Sequence, residues 1–274
     1  MKYIFIDVDG TMYSPKINGV VDSTKLALKQ AKANGHKIFL CTGRSLAESK
    51  LFLNLDIDGF IFCAGTLVYC EGKRIYEKAF NSDRIDSIIK MCDNNNFGYC
   101  LEAYAGAYYN DVAKPFLYNY FGPEKSDEET NEIMQDNCIY NLDYYHHKDP
   151  VTKINAYGAT KEQLAQLKTL VPNDLDVTTS LEDWENNTFC AEITDREINK
   201  ATGIQHILNC YPNATFDDVI ALGDSDNDIS MVSKAKIGIA MGNASASLKA
   251  VSDYVTDDIL DDGLYNAFKH YKLI

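Results

Sequence analysis

The chain has 274 residues, of which 46% are hydrophobic and 24% are charged, and its formal net charge is −14 at pH 7. This composition excludes a disordered chain and suffices for a buried core in one large domain or two smaller ones. The acidic balance, with no run of lysine and arginine, argues against nucleic acid as a partner, because a negative surface repels phosphate backbones. Positive charge for an anionic substrate must therefore be supplied locally, by a metal ion or a few cationic side chains.

The eight cysteines are scattered, and none forms a Cys-x-x-Cys pair. This spacing disfavours a zinc ribbon or a redox motif and favours free thiols in a reducing compartment. Asp7 and Asp9 interrupt the apolar run at the start, and no stretch offers the roughly 18 apolar residues of a membrane span. The sequence predicts a cytoplasmic protein without a membrane partner and gives no indication of its oligomeric state.

Short apolar runs alternate with helical patterns in the first part of the chain. In chain order they predict a strand at 3–8, a helix at 22–34 capped by Asp22 or Ser23, a strand at 36–41, helical sequence after Thr42, a strand at 59–63 and a hairpin at 66–77. Alternation on this scale predicts βαβ units and therefore the α/β class, with a doubly wound, mostly parallel, Rossmann-like sheet.

The pattern changes near residue 81 and returns near residue 191. Residues 98–121 are rich in tyrosine, 122–150 are polar and irregular, and a β-α-β pattern follows at 152–180. We interpret 81–190 as an α+β domain inserted into a core formed by 1–80 and 191–274. The later part of the core is predicted as a helix at 199–210, a strand at 218–223, a helix at 227–234, a strand at 236–240, and helices at 244–251 and 262–271.

Four short segments of the core carry candidate chemistry. Three of them end predicted strands and the fourth starts a predicted helix: Asp7 to Thr11 (DVDGT), Thr42 to Arg44 (TGR), Gly223 to Asp228 (GDSDND), and Lys200. In doubly wound sheets, ligands bind beyond the carboxyl ends of the strands. The placement of these segments therefore predicts one common site.

Asp7 and Asp9 are two residues apart, which places them on one side of an extended chain. Such a carboxylate pair could divide the roles of nucleophile and general acid/base. An ionised Asp7 cannot easily approach an anionic phosphate, and Mg²⁺, which prefers carboxylate and phosphate oxygens, would remove that repulsion. The alternative is that Asp9-Gly10 is only a turn after a strand.

The three aspartates of GDSDND could bind a metal or cap the next helix through Asp226 or Asn227. Their spacing matches the start of an EF-hand, but Ile229 and Ala235 stand where that loop needs glycine and glutamate, which excludes a calcium loop.

Two further segments could handle an anionic group. Thr42 and Gly43 could hold a phosphoryl oxygen through a hydroxyl and a backbone N–H, and Lys200 could neutralise charge. Each signal is weak alone, but with the aspartates they supply the parts of an in-line phosphoryl transfer.

In this order, DVDGT, CTGR, Lys200 and GDSDND resemble the four motifs of the haloacid dehalogenase superfamily. The long insert and the ending IGIAMGNA resemble its Cof-type branch, which has an α/β cap. The resemblance implies a Mg²⁺-dependent phosphatase that acts on small phosphorylated metabolites such as sugar phosphates.

The resemblance also implies a role for each site residue. Asp7 attacks phosphorus to form an aspartyl-phosphate, while Asp9 protonates the leaving oxygen, then activates water and gives its backbone carbonyl to Mg²⁺. The remaining implied roles are phosphoryl binding by Thr42 and Gly43, charge neutralisation by Lys200, Mg²⁺ ligation by Asp224, direct or indirect support of the metal by Asp228, and substrate contact by Asn227.

The chain departs from the family pattern at Ala64-Gly65, where Asn-Gly is usual, and at Asp257-Asp258, where Asn often precedes Asp-Gly. The insert is the least family-like part, and Trp184 within it could face the site or simply be buried. A sugar phosphomutase and a non-catalytic phospho-aspartate signalling module are the alternatives to a hydrolase. Asp9 weighs against the signalling module, because an acid/base beside the nucleophile promotes turnover.

Overall fold

The computed structural model describes residues 1–183 and 186–274, so Trp184 lies outside the described residues. The strands, in chain order, are β1 (Tyr3–Asp7), β2 (Tyr13–Ser14), β3 (Gly19–Val20), β4 (Lys37–Cys41), β5 (Gly59–Phe62), β6 (Leu67–Cys70), β7 (Lys73–Glu77), β8 (Gly98–Ala103), β9 (Ala107–Tyr109), β10 (Ile139–Asn141), β11 (Val151–Gly158), β12 (Leu175–Asp183), β13 (Thr188–Asp195), β14 (Val219–Gly223), β15 (Ile237–Ala240) and β16 (Tyr254–Val255).

The α-helices are α1 (Asp22–Ala33), α2 (Ser82–Asn94), α3 (Lys114–Phe121), α4 (Asp127–Asp136), α5 (Lys161–Leu170), α6 (Lys200–Leu208), α7 (Ile229–Lys234), α8 (Ala246–Val251) and α9 (Gly263–His270). None of the helices in 1–183 and 186–274 is both long enough and apolar enough to cross a bilayer.

The first compact unit consists of Met1–Arg44, Asn54–Glu77 and Ile198–Ile274. Its main sheet has the order β16-β15-β14-β1-β4-β5-β6-β7, and only the pairs β5-β6 and β6-β7 are antiparallel. All five residues of β1 are buried, as expected for a central parallel strand that is covered on both faces. The predicted fold class of this region is confirmed.

The two faces of this sheet are covered by different helices. On one face, Tyr3 and Phe5 of β1 share a core cluster with Ile204 of α6 and Met231 of α7. The other face belongs to α1 and α9, which contact each other, and α1 also contacts β4. Helices on both faces are typical of a doubly wound sheet, and the parallel pairing of β4, β1 and β14 makes these three strands end at the same edge.

The second compact unit consists of Ser45–Leu53 and Lys78–Glu197. Its sheet has the order β10-β9-β8-β11-β13-β12, with antiparallel pairing throughout except between β9 and β10. Leu101, Ile154 and Ala191 lie on one face and form a core with α2 and α5. On the other face, Cys100 packs with residues of α3 and α4. This unit is the α+β insert that the sequence predicts.

Three details differ from the sequence predictions. The segment 122–150 is not irregular, because α4 begins there with a capping box in which Ser126 and Glu129 bond reciprocally. The helical sequence after Thr42 forms a 3₁₀ helix, Ala47–Phe52, that belongs to the second unit. β13 runs through the predicted boundary at residue 190, and its pairing with β11 and β12 holds its whole length in the second sheet.

Candidate active site

The carboxyl ends of three neighbouring strands bring the predicted segments together. Asp7 ends β1 opposite Cys41 of β4, so that Thr42 follows on the adjacent strand. On the other side of β1, Leu222 pairs with Ile6, and Asp224 therefore follows β14 beside Asp7. Parallel strands end at the same edge of a sheet, and this register places the aspartates and the threonine around one point.

Lys200 reaches the same point from the first residue of α6. Asn199 caps this helix in a box with Thr202, and the Lys200 side chain is completely buried. Its Nζ donates to Asp7 Oδ1 at 2.6 Å, to Asp228 Oδ1 at 2.5 Å and to Asn227 Oδ1 at 3.2 Å. The predicted cation thus binds the predicted nucleophile directly, across 193 residues of chain.

The loop after β14 is held by hydrogen bonds of Asp228 and Asp226. Asp228 Oδ2 accepts the backbone N–H groups of Asp224 and Ser225, each at 3.0 Å. Ser225 is the N-cap of a short 3₁₀ turn, Asp226–Asp228, and Asp228 is the N-cap residue of α7, which follows it. Asp226 instead accepts a hydrogen bond from the Ser245 hydroxyl at 2.6 Å. The alternative that Asp226 or Asn227 caps the next helix is wrong for α7, because its N-cap position is Asp228, whose carboxylate is bonded to the N–H groups of the preceding loop.

Asp224 is fixed by the segment that follows β1. Thr11 Oγ1 donates to Asp224 Oδ1 at 3.1 Å. Gly10, at φ +83°, lies so close that a Cβ there would sit 2.2 Å from Asp224 Oδ2. Only glycine combines this backbone conformation with this close approach. Thr11 has a role that the sequence analysis did not assign, although it belongs to the DVDGT motif.

The three carboxylates, of which those of Asp7 and Asp228 are buried, outnumber the one ammonium group. Burial raises the pKa of Asp7 well above its ordinary value and the nearby Asp228 charge adds to this, against the lowering effect of Lys200. Burial and the Asp228 charge likewise raise the pKa of Asp224 to about 6. Burial alone would lower the pKa of Lys200, but Asp228 and Asp7 outweigh it and keep the ammonium charged.

This cluster has the donor set that suits a hard divalent cation. Carboxylate oxygens of Asp7, Asp224 and Asp228 lie within 4.8 Å of one another. With Lys200 charged and all three carboxylates ionised, the cluster carries a net charge of about −2, which one divalent cation neutralises. The residues therefore fit the predicted Mg²⁺. The side chain of Asp9 is not part of this group.

Asp9 is instead engaged by Arg44. Arg44 Nε donates to Asp9 Oδ2 at 2.7 Å and its Nη2 to Oδ1 at 2.5 Å, which is a bidentate ion pair. The sequence analysis quoted Arg44 within the TGR segment without giving it a role. Its position directly after Thr42-Gly43, at the end of the strand next to β1, is the signal that could have identified this pairing.

Thr42, Gly43 and Asn227 complete the set of predicted residues. Thr42 is buried, and its Oγ1 accepts the backbone N–H of Arg44 at 3.0 Å, which leaves its own proton available for a ligand oxygen. A Cβ on Gly43 would lie 3.8 Å from Asn227 Nδ2. These residues therefore lie together on the side of the cluster formed by β4 and the loop after β14.

The departure at Ala64-Gly65 lies beside the start of α6. Ala64 has φ 54°, a left-handed conformation that asparagine tolerates better than alanine. A Cβ on Gly65 would lie 2.5 Å from the carbonyl oxygen of Asn199. Glycine at this position lets the loop after β5 pack against the helix start that carries Lys200.

The site thus lies at the carboxyl end of the central strand of a doubly wound sheet. It combines Asp7, the buried Lys200 and two further carboxylates. The sequence pattern of the haloacid dehalogenase-like hydrolases matches residues 4–268. The chain belongs to the haloacid dehalogenase-like hydrolase family and is an enzyme of the hydrolase class.

Individual relatives are similar to this chain over almost their whole length. YkrA of Bacillus subtilis is 27% identical over all of this chain and 98% of its own. The 5-amino-6-(5-phospho-D-ribitylamino)uracil phosphatase YcsE of the same species is 24% identical over 100% of this chain and 96% of its own. The structure of the subclass IIB sugar phosphatase BT4131 has a TM-score of 0.78 and 25% identity, covering 100% of both chains.

Proposed function

We propose that the chain is a Mg²⁺-dependent phosphatase that hydrolyses small phosphomonoesters, with sugar phosphates as the favoured class, through an aspartyl-phosphate on Asp7. The observation that carries the proposal is the buried contact of 2.6 Å between Lys200 Nζ and Asp7 Oδ1, beside Asp224 and Asp228. An aspartate held this way is oriented for attack, and the surrounding cations compensate the charge of the incoming phosphate.

In the first half-reaction, a carboxylate oxygen of Asp7 bonds to phosphorus and the bond to the leaving oxygen breaks. The leaving oxygen takes a proton from Asp9. Arg44 bonds both carboxylate oxygens of Asp9, so Asp9 must be released from Arg44 and carry a proton before this step. Thr42 and the N–H of Gly43 hold the phosphoryl oxygens, Lys200 offsets their charge, and Asn227 contacts the substrate.

In the second half-reaction, Asp9 is a carboxylate and accepts a proton from water. The water oxygen bonds to phosphorus, the bond to Asp7 breaks, and inorganic phosphate leaves. Arg44 supports this half-reaction, because its bidentate contact stabilises and orients the ionised form of Asp9. Asp7 is thus first the nucleophile and then the leaving group, and Asp9 is first the general acid and then the general base.

Asp7, Asp224, Asp228 and the backbone carbonyl of Asp9 would hold Mg²⁺, which when bound polarises the phosphoryl group and offsets its charge. Sugar phosphates are favoured because BT4131 is a sugar phosphatase and covers the whole chain at 25% identity. The activity of YcsE towards a phosphorylated ribityl compound supports the same size of substrate.

Isotope labelling tests the proposal. Purified protein is incubated with Mg²⁺ and a panel of sugar monophosphates in ¹⁸O-labelled water, and the phosphate and the sugars are examined by mass spectrometry. We expect one ¹⁸O atom in each released phosphate, formed at the rate at which substrate is lost. Isomerised sugar phosphate with little free phosphate would show a phosphomutase instead. The absence of both products across the panel would reject sugar phosphates as substrates.

A further inference from the structure

The second unit contains a pocket of about 420 Å³ on the sheet face that carries Cys100. One part of its wall is apolar and aromatic and includes Phe116, Leu117 and Phe121 of α3, with Tyr157 of β11. The rings of Phe116 and Tyr157 are stacked with their centroids 6.0 Å apart. This wall suits a flat or apolar molecular body.

Another part of the wall is acidic. Among the described lining residues, the charged side chains are Glu48 of the 3₁₀ helix and Glu102 of β8, and neither lysine, arginine nor histidine joins them. The nearby Lys153 is engaged by Glu192, with Nζ 3.0 Å from Oε1. The three glutamates and one lysine leave this cluster with an excess of negative charge, so an anionic ligand is disfavoured.

Glu102 is poorly compensated at this position. It is 9% exposed, and its Oε1 accepts one hydrogen bond, at 2.8 Å, from Asn155 Nδ2. Burial raises the pKa of Glu102 to about 8, with Lys153 opposing and Glu48 and Glu192 adding to the increase. A positive charge that entered the pocket would restore the ionised form of this carboxylate.

The amide oxygen of Asn155 is the second sign of a ligand. Asn155 lines the pocket and is 9% exposed, and its Oδ1 has no hydrogen-bond partner among the described residues. A buried acceptor without a partner destabilises the folded protein, so a donor from a bound molecule would remove this cost. Asn155 and Glu102 thus present two acceptors side by side.

We propose that this pocket binds a small organic amine, with its ammonium group between Glu102 and the Asn155 amide oxygen and its apolar body against Phe116 and Tyr157. The acceptors require a donor, the negative excess favours a cation over a neutral hydroxyl, and aromatic rings attract cations and pack against apolar groups. The assignment is independent of the proposed phosphatase activity, because it concerns binding alone.

A series of probes that differ only in charge tests the assignment. Binding of 2-phenylethylamine, 2-phenylethanol and phenylacetate to the whole protein is measured by ligand-observed NMR titration at pH 7.5, with no phosphate ester present. We expect 2-phenylethylamine to bind with a Kd on the order of 1 mM, 2-phenylethanol at least about 10-fold more weakly, and phenylacetate not at all. Equal binding of the amine and the alcohol would overturn the choice of a cation.

Variants locate the binding in this pocket. Glu102→Gln keeps the shape of the side chain but cannot become ionised when the ammonium group binds, and we expect it to raise the Kd for the amine by at least about 5-fold. Glu132→Gln, an exposed site on α4 in the same unit, is the matched control and should leave the Kd unchanged. Phe116→Ala tests the aromatic wall without changing any charge. Unchanged amine affinity in folded Glu102→Gln or in folded Phe116→Ala would reject the pocket as the site.

Discussion

Each unit buries a lysine among three carboxylates, but the two clusters differ in how well those carboxylates are satisfied. In the first unit, Lys200 contacts Asp7 and Asp228 directly, and Asp228 also accepts two backbone N–H groups. In the second unit, Lys153 contacts Glu192, while Glu102 accepts a bond from Asn155. The first cluster is built from loops at strand ends, where backbone N–H groups are free to donate. In the second cluster, Glu102, Lys153 and Glu192 lie on strands whose N–H groups are already used in the sheet, while Glu48 lies on the 3₁₀ helix and accepts the backbone N–H of Ser45.

The cluster around Lys200 is therefore preorganised for a chemical step. The cluster around Lys153 has more negative than positive groups and could bind a further cation. In the first cluster, the charge that remains fits a divalent cation. In the second, an unpartnered amide oxygen lies beside the carboxylate, which suits an organic donor better than a bare metal ion. The following experiments test the comparison.

The largest effect is expected for Asp7→Asn. The amide is nearly the same shape but cannot form the aspartyl-phosphate, so we expect kcat to fall by at least roughly 10³-fold with an unchanged circular dichroism spectrum. Phosphate release assays measure the change. Asp226→Asn, a carboxylate of the same loop that bonds Ser245 instead of the cluster, is the control and should retain activity. Turnover of Asp7→Asn near the wild-type rate would reject covalent catalysis.

Removal of the metal should abolish activity, and added Mg²⁺ should restore it. Asp224→Asn weakens the donor set, so we expect it to raise the Mg²⁺ concentration for half-maximal activity at least about tenfold, or 1.4 kcal/mol. A Mg²⁺ titration of chelator-treated protein measures both effects. Full activity after exhaustive chelation would contradict the assignment of this cluster as a metal site.

The two lysines should differ in their contribution to stability. Lys200→Met leaves Asp7 and Asp228 buried without their cation, and we expect the free energy of unfolding to fall by about 3–5 kcal/mol. Lys153→Met should cost less than half as much, because the Glu192 side chain is 29% exposed and can be solvated. Urea unfolding in the presence of chelator measures both variants. Equal losses would remove the distinction between the clusters.

The smallest effect concerns the pH dependence of stability. The pKa of Glu102 is about 8 in the folded protein, above that of an unfolded glutamate, so the folded state binds this proton more tightly. Wild-type stability from this group is therefore present at low pH and is lost as the pH rises towards 8. Each pKa unit corresponds to about 1.4 kcal/mol.

Glu102→Gln replaces the carboxyl by an amide that does not titrate, so a comparison with wild type isolates the contribution of Glu102 protonation to stability. We expect the variant to gain at least about 1 kcal/mol of stability relative to wild type between pH 5 and pH 8. Glu48, Lys153 and Glu192 face Glu102 from the 3₁₀ helix, β11 and β13, and all three are present in both proteins. Chemical unfolding at several pH values measures the difference, with Glu132→Gln as the control. A constant gap between variant and wild type would show that Glu102 is not buried as a titrating group.

The sequence alone determined the α/β alternation with an inserted α+β region, and it predicted the residues of the candidate active site. These features depend on local signals: apolar runs that end in Asp7 or Gly223, and glycines beside the aspartates. The helix α4 has a local signal as well, the Ser126-x-x-Glu129 capping box. The sequence analysis missed this helix because its composition is polar. Local patterns can be recognised in the sequence because neighbouring residues belong to one helix or strand and follow its periodicity.

Only the tertiary structure decided which distant groups meet. The contact of Lys200 with Asp7 depends on how α6 packs against the sheet, and the Arg44–Asp9 pair depends on β4 lying next to β1. The pocket of the second unit depends on strand register, which places Asn155 opposite Cys100 on one side and Glu192 on the other. A shift of one residue in that pairing would turn these polar side chains to the other face. Packing and register are properties of the folded chain, and no local pattern encodes them.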